Sequence, residues 1–279
     1  MKIWSISNQK GGVGKTTTVV TLGGILAGRG NRVLLVDLDP HGSLTSYFRM
    51  NPDEVETSVY TLFQDALAKR PLMADSCVVS TRYERISVLP AATALATIER
   101  HGGASGMGLV IANALASVRG QYDHVLLDSP PMLGVLMVNA LAACQHLLVP
   151  VLPEFLALKG LERMMNTLDM VGRSRRVKLA TTILPTMFDR RTRASVQTLQ
   201  TMRELYGERL WRAAIPVDTK LREASQVGVP ASIYAPGSKA VVAYSALLDD
   251  LLGLRNPLET REAVPSDTLA GADTAPAAV

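Results

Sequence analysis

The sequence predicts an α/β fold, a doubly wound, mostly parallel sheet flanked by helices. Three observations predict it. Short apolar blocks alternate along the chain with stretches of helical apolar spacing, the order that a parallel sheet with crossover helices requires. Those blocks are rich in Val, Leu, Ile and Ala, as strands covered on both faces are. A glycine-rich run, Lys10-Gly11-Gly12-Val13-Gly14-Lys15-Thr16-Thr17, stands between the first apolar block and the first helical stretch.

The elements follow in order. Ile3–Ser7 is a strand, Thr16–Ala27 a helix stopped by Gly28 and Gly30, and Arg32–Asp37 the next strand. A strand, helix and strand in this arrangement make a parallel pair with a right-handed crossover. Residues 41–85 form an irregular, helical stretch with no clear motif, with one helix predicted at Thr61–Ala68. Ile86–Pro90 is a short strand, Met107–Val118 has helical spacing and ends at Gly120, and Val125–Asp128 is an apolar strand ending in acid. Met137–Ala143 is helical and Leu147–Val151 a strand. Leu158–Val171 is a helix with Leu161, Met164, Met165 and Leu168 on one face. Leu179–Leu184 is a strand, Val196–Leu205 an amphipathic helix, Ala213–Pro216 a short strand and Ala240–Leu252 the last helix. The ordered domain is therefore expected to span residues 1–252. From about Gly253 the chain is rich in Ala, Pro, Thr and acid, with Pro257, Pro265 and Pro276 breaking any helix, so residues 253–279 are expected to be a disordered tail.

Composition narrows the class. With 279 residues, 47% apolar and only 5% aromatic, the chain has a full but aliphatic core. Cys77 and Cys144 are far apart and lack metal-ligand spacing, which fits a reduced, cytoplasmic protein. No signal-peptide pattern opens the chain, and no run approaches the roughly 20 apolar residues of a membrane span. The net charge is +4, unevenly spread: Arg173 to Arg222 holds twelve Lys and Arg against four Asp and Glu, which points to a basic face in the C-terminal half.

A glycine-rich turn at a strand-to-helix junction lets backbone N–H groups surround a phosphate. Lys15 then supplies a point charge and Thr16 a hydroxyl for Mg2+. Open α/β sheets bind ligands at the carboxyl ends of their strands, and acids stand there: Asp37 and Asp39 after one strand, Asp128 after another. A carboxylate closing an apolar strand is a candidate holder of Mg2+ through water.

The loop departs from the ordinary phosphate-loop spacing G-x-x-x-x-G-K-[ST]. Its first glycine would fall at position 9, where Gln9 stands, followed by a second lysine, Lys10. The run K-G-G-V-G-K-T-T resembles the deviant Walker A loop of the ParA/MinD family of P-loop ATPases, closest to its ParA/Soj-like partition branch. Asp37-Leu38-Asp39-Pro40 resembles the family's D-x-D-P signature, and Val125–Gly134 its D-x-P-P segment. Leu184–Ser195 and Ile215–Ala224 resemble its C-terminal segments, so the likeness covers about residues 1 to 252. It implies ATP and Mg2+ as cofactors. It assigns phosphate contacts to Lys10 through Thr17, and the metal to Thr16, Asp37 and Asp128. Asp39 is to position the attacking water, Lys15 to hold the phosphates, and Lys10 to reach the partner subunit's nucleotide in an ATP-bound homodimer. Met187, Pro216 and Asp218 are to lie near adenine. Where the family usually continues D-P-Q-G-N, this chain has His41 and Ser43, and His41 is a neutral hydrogen-bonding substitute, a pH-sensitive group or a contact to nucleotide.

The resemblance also implies slow ATP hydrolysis stimulated by a partner protein, and DNA binding without sequence preference through Arg191 and Lys220, flanked by Arg190, Arg193 and Arg222. Where the family often has I-P-R-N-V-R, Val217 and Lys220 replace two arginines, removing one charge and one bidentate fork. The acidic, proline-broken tail lacks the basic amphipathic helix by which the MinD branch binds membrane, so no membrane partner is expected. The cargo is a chromosome or plasmid, served by a ParB-like adaptor, or a polar chemoreceptor array. The second follows from Asp37–Phe48, which resembles ParA-like proteins found with bacterial chemotaxis operons. The expected location is cytoplasmic, at the nucleoid or a pole. The alternative is a metabolic enzyme of the same fold that uses ATP to activate a carboxylate. A scaffold that binds ATP without hydrolysing it is a third reading.

Overall fold

Six of the seven expected apolar blocks form strands of one sheet in the computed structural model, which describes residues 1–101, 106–173 and 179–254. The strands are β1 (Lys2–Ile6), β2 (Val33–Asp37), β3 (Val79–Ser80), β4 (Ile86–Leu89), β5 (His124–Asp128), β6 (His146–Val151) and β7 (Ala180–Pro185). They lie in the order β3-β4-β2-β5-β1-β6-β7. Every neighbouring pair is parallel except β3 with β4, where a two-residue strand closes the edge. All five residues of β2 and of β5 are buried, which explains their unbroken apolar runs.

The helices are α1 (Lys15–Gly28), α2 (Ser43–Tyr47), α3 (Val59–Leu67), α4 (Leu95–His101), α5 (Val110–Ala114) and α6 (Val135–Ala143). They continue with α7 (Phe155–Arg173), α8 (Arg193–Tyr206), α9 (Thr219–Val227), α10 (Ala231–Tyr234) and α11 (Lys239–Leu252). Alternate strand residues divide between two layers. Leu34, Val36, Val125 and Leu127 pack with Leu62 and Phe63 of α3 and Leu136 of α6. Val33, Leu35 and Leu126 pack on the other face with Val19, Leu22 and Leu26 of α1 and Tyr244 and Leu248 of α11. A third cluster joins β6 and β7 to α7 and α8 through Val149, Ile183, Met164 and Met202. Helices on both faces of a parallel sheet make the fold doubly wound.

Two elements differ from expectation. Ala213–Pro216 is no ladder strand; it touches its neighbours through isolated bridges, Phe188 with Pro216 and, just upstream, Ile183 with Leu210. Pro216 has no N–H to extend a ladder. Met107–Val118 is a 3-10 turn, Met107–Leu109, leading into the short α5. There Asn139 of α6 takes over backbone groups, accepting from Ile111 N and donating to the Met107 carbonyl. The sequence pattern placed no bounded element at α2, α4, α9, α10 or the edge strand β3. The expected tail falls, from residue 255 on, outside the described residues. No helix among the described residues is long and apolar enough to cross a membrane.

Candidate functional site

Strand order sets the site. β1 lies between β5 and β6, while the chain leaves it through α1 to reach β2 on the far side of β5. The loop that begins α1 therefore opens at the carboxyl ends of β1, β2 and β5, where the order of the strands reverses. Gly12 and Gly14 take positive φ angles of 72° and 88°, conformations that suit glycine. Gly14 is the N-cap of α1 and has no side-chain cap of its own, so the first N–H groups of α1 are left for a ligand. Thr186 Oγ1 donates to the Val13 carbonyl (2.9 Å), and Asn8 Nδ2 to the Pro150 carbonyl (2.6 Å), pinning the loop to β6 and the end of β7. At the loop's base, Ser129 Oγ donates to Ser7 Oγ (2.7 Å), which lies 2.8 Å from Ser5 Oγ.

The two lysines of the loop differ. Lys15 is buried, and its Nζ donates to the Lys10 carbonyl at 3.3 Å. Burial lowers its pKa, and the carboxylates of Asp128 and Asp39 oppose that shift. Lys10 instead turns outward: its Nζ pairs with Glu154 Oε2 at 3.2 Å, with 42% of the lysine side chain exposed.

The acids come together at the carboxyl ends of β2 and β5. Asp37 and Asp128 are partners in the β2–β5 register, both buried. Thr16 Oγ1 donates to Asp128 Oδ2 at 2.6 Å. Burial, and then the neighbouring Asp37, push the Asp128 carboxyl well above the carboxylate range. Asp37 is pushed up to about 6 by burial. Its Oδ2 accepts from both Thr45 N (2.8 Å) and Thr45 Oγ1 (2.7 Å), and its Oδ1 from Asp39 N (3.1 Å). Two buried carboxylates held side by side with a hydroxyl are short of positive charge. They offer the hard oxygen ligands that Mg2+ takes alongside phosphate and water. The residues present therefore fit that cation.

Asp39 is the less buried acid, with 14% of its side chain exposed. Its Oδ1 accepts from His41 N at 3.0 Å and lies 2.9 Å from His41 Nδ1. Gly42 N donates to the Asp39 carbonyl (2.8 Å), closing a turn between the two residues.

The residues expected near adenine divide. Met187 reaches the loop: a Cβ placed on Gly14 would lie 3.6 Å from Met187 Cε, and Met187 itself has a positive φ of 51°. Pro216 borders a groove of about 560 Å³ with Phe188, Arg190 and Lys239. Asp218 is occupied by the fold. Its Oδ1 accepts from Lys220 N at the start of α9, and its Oδ2 from Ala240 N at the start of α11, both at 3.0 Å.

Of the expected DNA contacts, Arg191 forms a two-pronged pair with Asp189 (3.0 and 2.8 Å), and Lys220 pairs with Glu223 at 2.8 Å. Arg193 opens α8 and Arg222 lies on α9. Backbone bonds from Phe188 N to the Ile215 carbonyl (2.9 Å) and from Val217 N to the Phe188 carbonyl (3.2 Å) tie the Arg190–Arg191 turn to the segment leading into α9.

Sequence reasoning missed Thr45, Glu154 and Tyr244. Thr45 sits on the unforeseen α2. Tyr244 lies 2.9 Å from Thr18 Oγ1, which donates to the Gly14 carbonyl, so α11 braces the end of the loop. Thr45 lies within a few residues of the D-x-D-P run and was open to local inspection, whereas Glu154 and Tyr244 are remote in sequence.

Over residues 1–181 the chain matches a family model described as an AAA domain. It is 36% identical over 261 residues to the sporulation initiation inhibitor protein Soj of Bacillus subtilis, covering 90% of this chain and 98% of that protein. It is 33% identical over 267 residues to the chromosome partitioning protein ParA of Caulobacter vibrioides, covering 94% and 98%. Among solved structures it is similar to cobyrinic acid a,c-diamide synthase of Mycobacterium smegmatis with bound ATP analogue and magnesium. That match has a TM-score of 0.76 at 32% identity and covers 91% of this chain and 97% of that one. McdA of Cyanothece in complex with ATP shares the fold, with a TM-score of 0.79 at 20% identity over 92% and 98% of the two chains.

Proposed function

The chain belongs to the ParA-like family of P-loop ATPases, and from that premise we propose that it is a switch in which ATP closes a homodimer and hydrolysis reopens it. The observation that carries this reading is the contrast within the loop. Lys15 is buried among the acids, while Lys10, five residues away, holds its ammonium at the surface. A second copy of the loop docked there would receive that charge on its own nucleotide.

ATP and Mg2+ are the cofactors, as in the bound states of the synthase relative. Lys15 and the N–H groups from Gly11 to Thr17 hold the phosphates. Thr16 and Asp128 hold the cation directly or through water, with Asp37 behind them. Bound Mg2+ neutralises phosphate charge. Asp39 orients the attacking water, and Lys10 of the partner neutralises charge in trans; phosphoryl transfer depends mainly on such positioning and charge. Hydrolysis is slow and stimulated by an adaptor protein.

The closed dimer binds DNA without sequence preference through the Arg190–Arg193 turn and the Lys220–Arg222 stretch of α9. It works in the cytoplasm, at the nucleoid or a pole, and positions a cargo. The chromosome partitioning relative supports a chromosome or plasmid as cargo, with a ParB-like adaptor. The Asp37–Phe48 likeness favours a chemoreceptor array with a chemotaxis-associated one.

The synthase relative favours a second reading, an amide-forming enzyme that activates a carboxylate with ATP. Hydrolysis measured without any small-molecule substrate, alone and with DNA, separates the two. ATP turnover without substrate, together with dimerisation on an ATP analogue, supports the switch; turnover that strictly requires a carboxylate substrate overturns it.

A further inference from the structure

Asp39 has one engaged oxygen and one open one. Both donors of His41, the backbone N at 3.0 Å and the ring Nδ1 at 2.9 Å, converge on Asp39 Oδ1. No hydrogen bond to Asp39 Oδ2 is formed among the described residues. The turn that brings the ring there is fixed. Gly42 closes it through its bond to the Asp39 carbonyl and takes a φ of 60°, and a Cβ at Gly42 would run into the Pro52 ring. Immediately after it, α2 begins and ties Thr45 to Asp37. The imidazole, with 82% of its side chain exposed, makes no other hydrogen bond among the described residues.

We propose that His41 is a positioning residue for hydrolysis, its ring Nδ1–H holding Asp39 Oδ1 so that Oδ2 alone faces the attacking water. This rests on the ATPase reading given above. In that reaction the water oxygen bonds to the γ-phosphorus and the bridging P–O bond breaks with its electron pair passing to ADP. Both protons of the water leave on inorganic phosphate, as dihydrogen phosphate. Asp39 Oδ2 accepts the hydrogen bond that aims the water. A backbone N–H alone restrains Oδ1 at one point and leaves the carboxylate free to turn about χ2. A second donor from a planar ring, bonded to the same oxygen, fixes the plane of the carboxylate. Precise placement of the nucleophile governs rate without adding to ground-state binding.

Asparagine and alanine at this position test it, because an asparagine amide nitrogen falls where the ring Nδ1 stands. Single-turnover hydrolysis by the full chain with Mg2+-ATP is compared with affinity for a non-hydrolysable ATP analogue. His41→Ala should lower the hydrolysis rate about tenfold, the scale of one lost hydrogen bond to a charged group, with analogue affinity unchanged. His41→Asn should return to within about twofold of the original rate. An unchanged rate in His41→Ala overturns the assignment. So does a rate in His41→Asn as low as in the alanine variant, or a loss of analogue binding in His41→Ala, which would mark a structural role. Absence of hydrolysis in the unaltered protein would instead remove the ATPase reading itself.

Discussion

Lys10 Nζ lies 3.2 Å from Glu154 Oε2, in an ion pair whose side chains are 42% and 54% exposed. A pair this open contributes little to the fold, typically under about 1 kcal/mol. Lys10→Ala should therefore leave thermal unfolding of the nucleotide-free protein nearly unchanged. It should also abolish the doubling of mass on adding an ATP analogue, read by light scattering. A large fall in melting temperature would place Lys10 in the fold rather than in the switch.

Asp37 and Asp128 stand side by side, and burial raises both carboxyl groups, Asp37 to about 6. An acid whose pKa is higher folded than unfolded keeps its proton longer in the folded state. Its contribution to stability is complete below the unfolded value near 4 and is lost as pH rises through about 6. The nucleotide-free protein should lose stability over that interval, and Mg2+-ATP should restore it above about 6 by supplying the missing positive charge. Melting curves at several pH values, with and without Mg2+-ATP, measure this. Asp128→Asn should raise the nucleotide-free melting temperature at pH 7 while weakening the gain from Mg2+-ATP.

Asp189 engages Arg191 with both carboxylate oxygens. The arginine's charge is thereby half spent within the chain. Asp189→Asn should tighten binding of the ATP-closed dimer to non-specific duplex DNA and steepen its salt dependence by about one unit of slope. Arg191→Glu should weaken binding without changing dimerisation. Filter binding across a salt series reads both. No change in either variant would remove this turn from the DNA surface.

Asp218 bonds the first turns of α9 and α11 together. Asp218→Ala should lower stability by about 1–2 kcal/mol in urea unfolding without nucleotide, as loss of a helix cap does. An effect seen only with ATP present would return Asp218 to an adenine-binding role.

The sequence was most legible where local pattern carries the chemistry. Lys10 to Thr17 stand at a strand–helix junction, and Asp37, Asp39 and Asp128 at strand ends, because an apolar block and a polar residue after it are both local signals. What local pattern cannot give is strand order. The adjacency of Asp37 to Asp128 depends on β2 lying against β5, a pairing of residues far apart in the chain. The Lys10–Glu154 and Thr18–Tyr244 contacts are equally remote. Ala213–Pro216 looked like a strand by composition, but a strand also needs a ladder partner, and Pro216 cannot supply the donor. Asp218 was read through its family resemblance; its bond to Ala240 N, which clasps α9 to α11, is a contact that local pattern does not show.

The claim that Lys10 acts across a dimer is tested most directly by mixing two inactive variants. Lys10→Ala keeps its own Asp39 but has no lysine to give; Asp39→Ala cannot orient water but still presents Lys10. In a mixed dimer the first variant's site would receive Lys10 from the second. ATP hydrolysis by the mixture should therefore rise well above the sum of the two variants measured alone. Hydrolysis that stays at that sum, although mixed dimers form, would contradict a lysine working in trans.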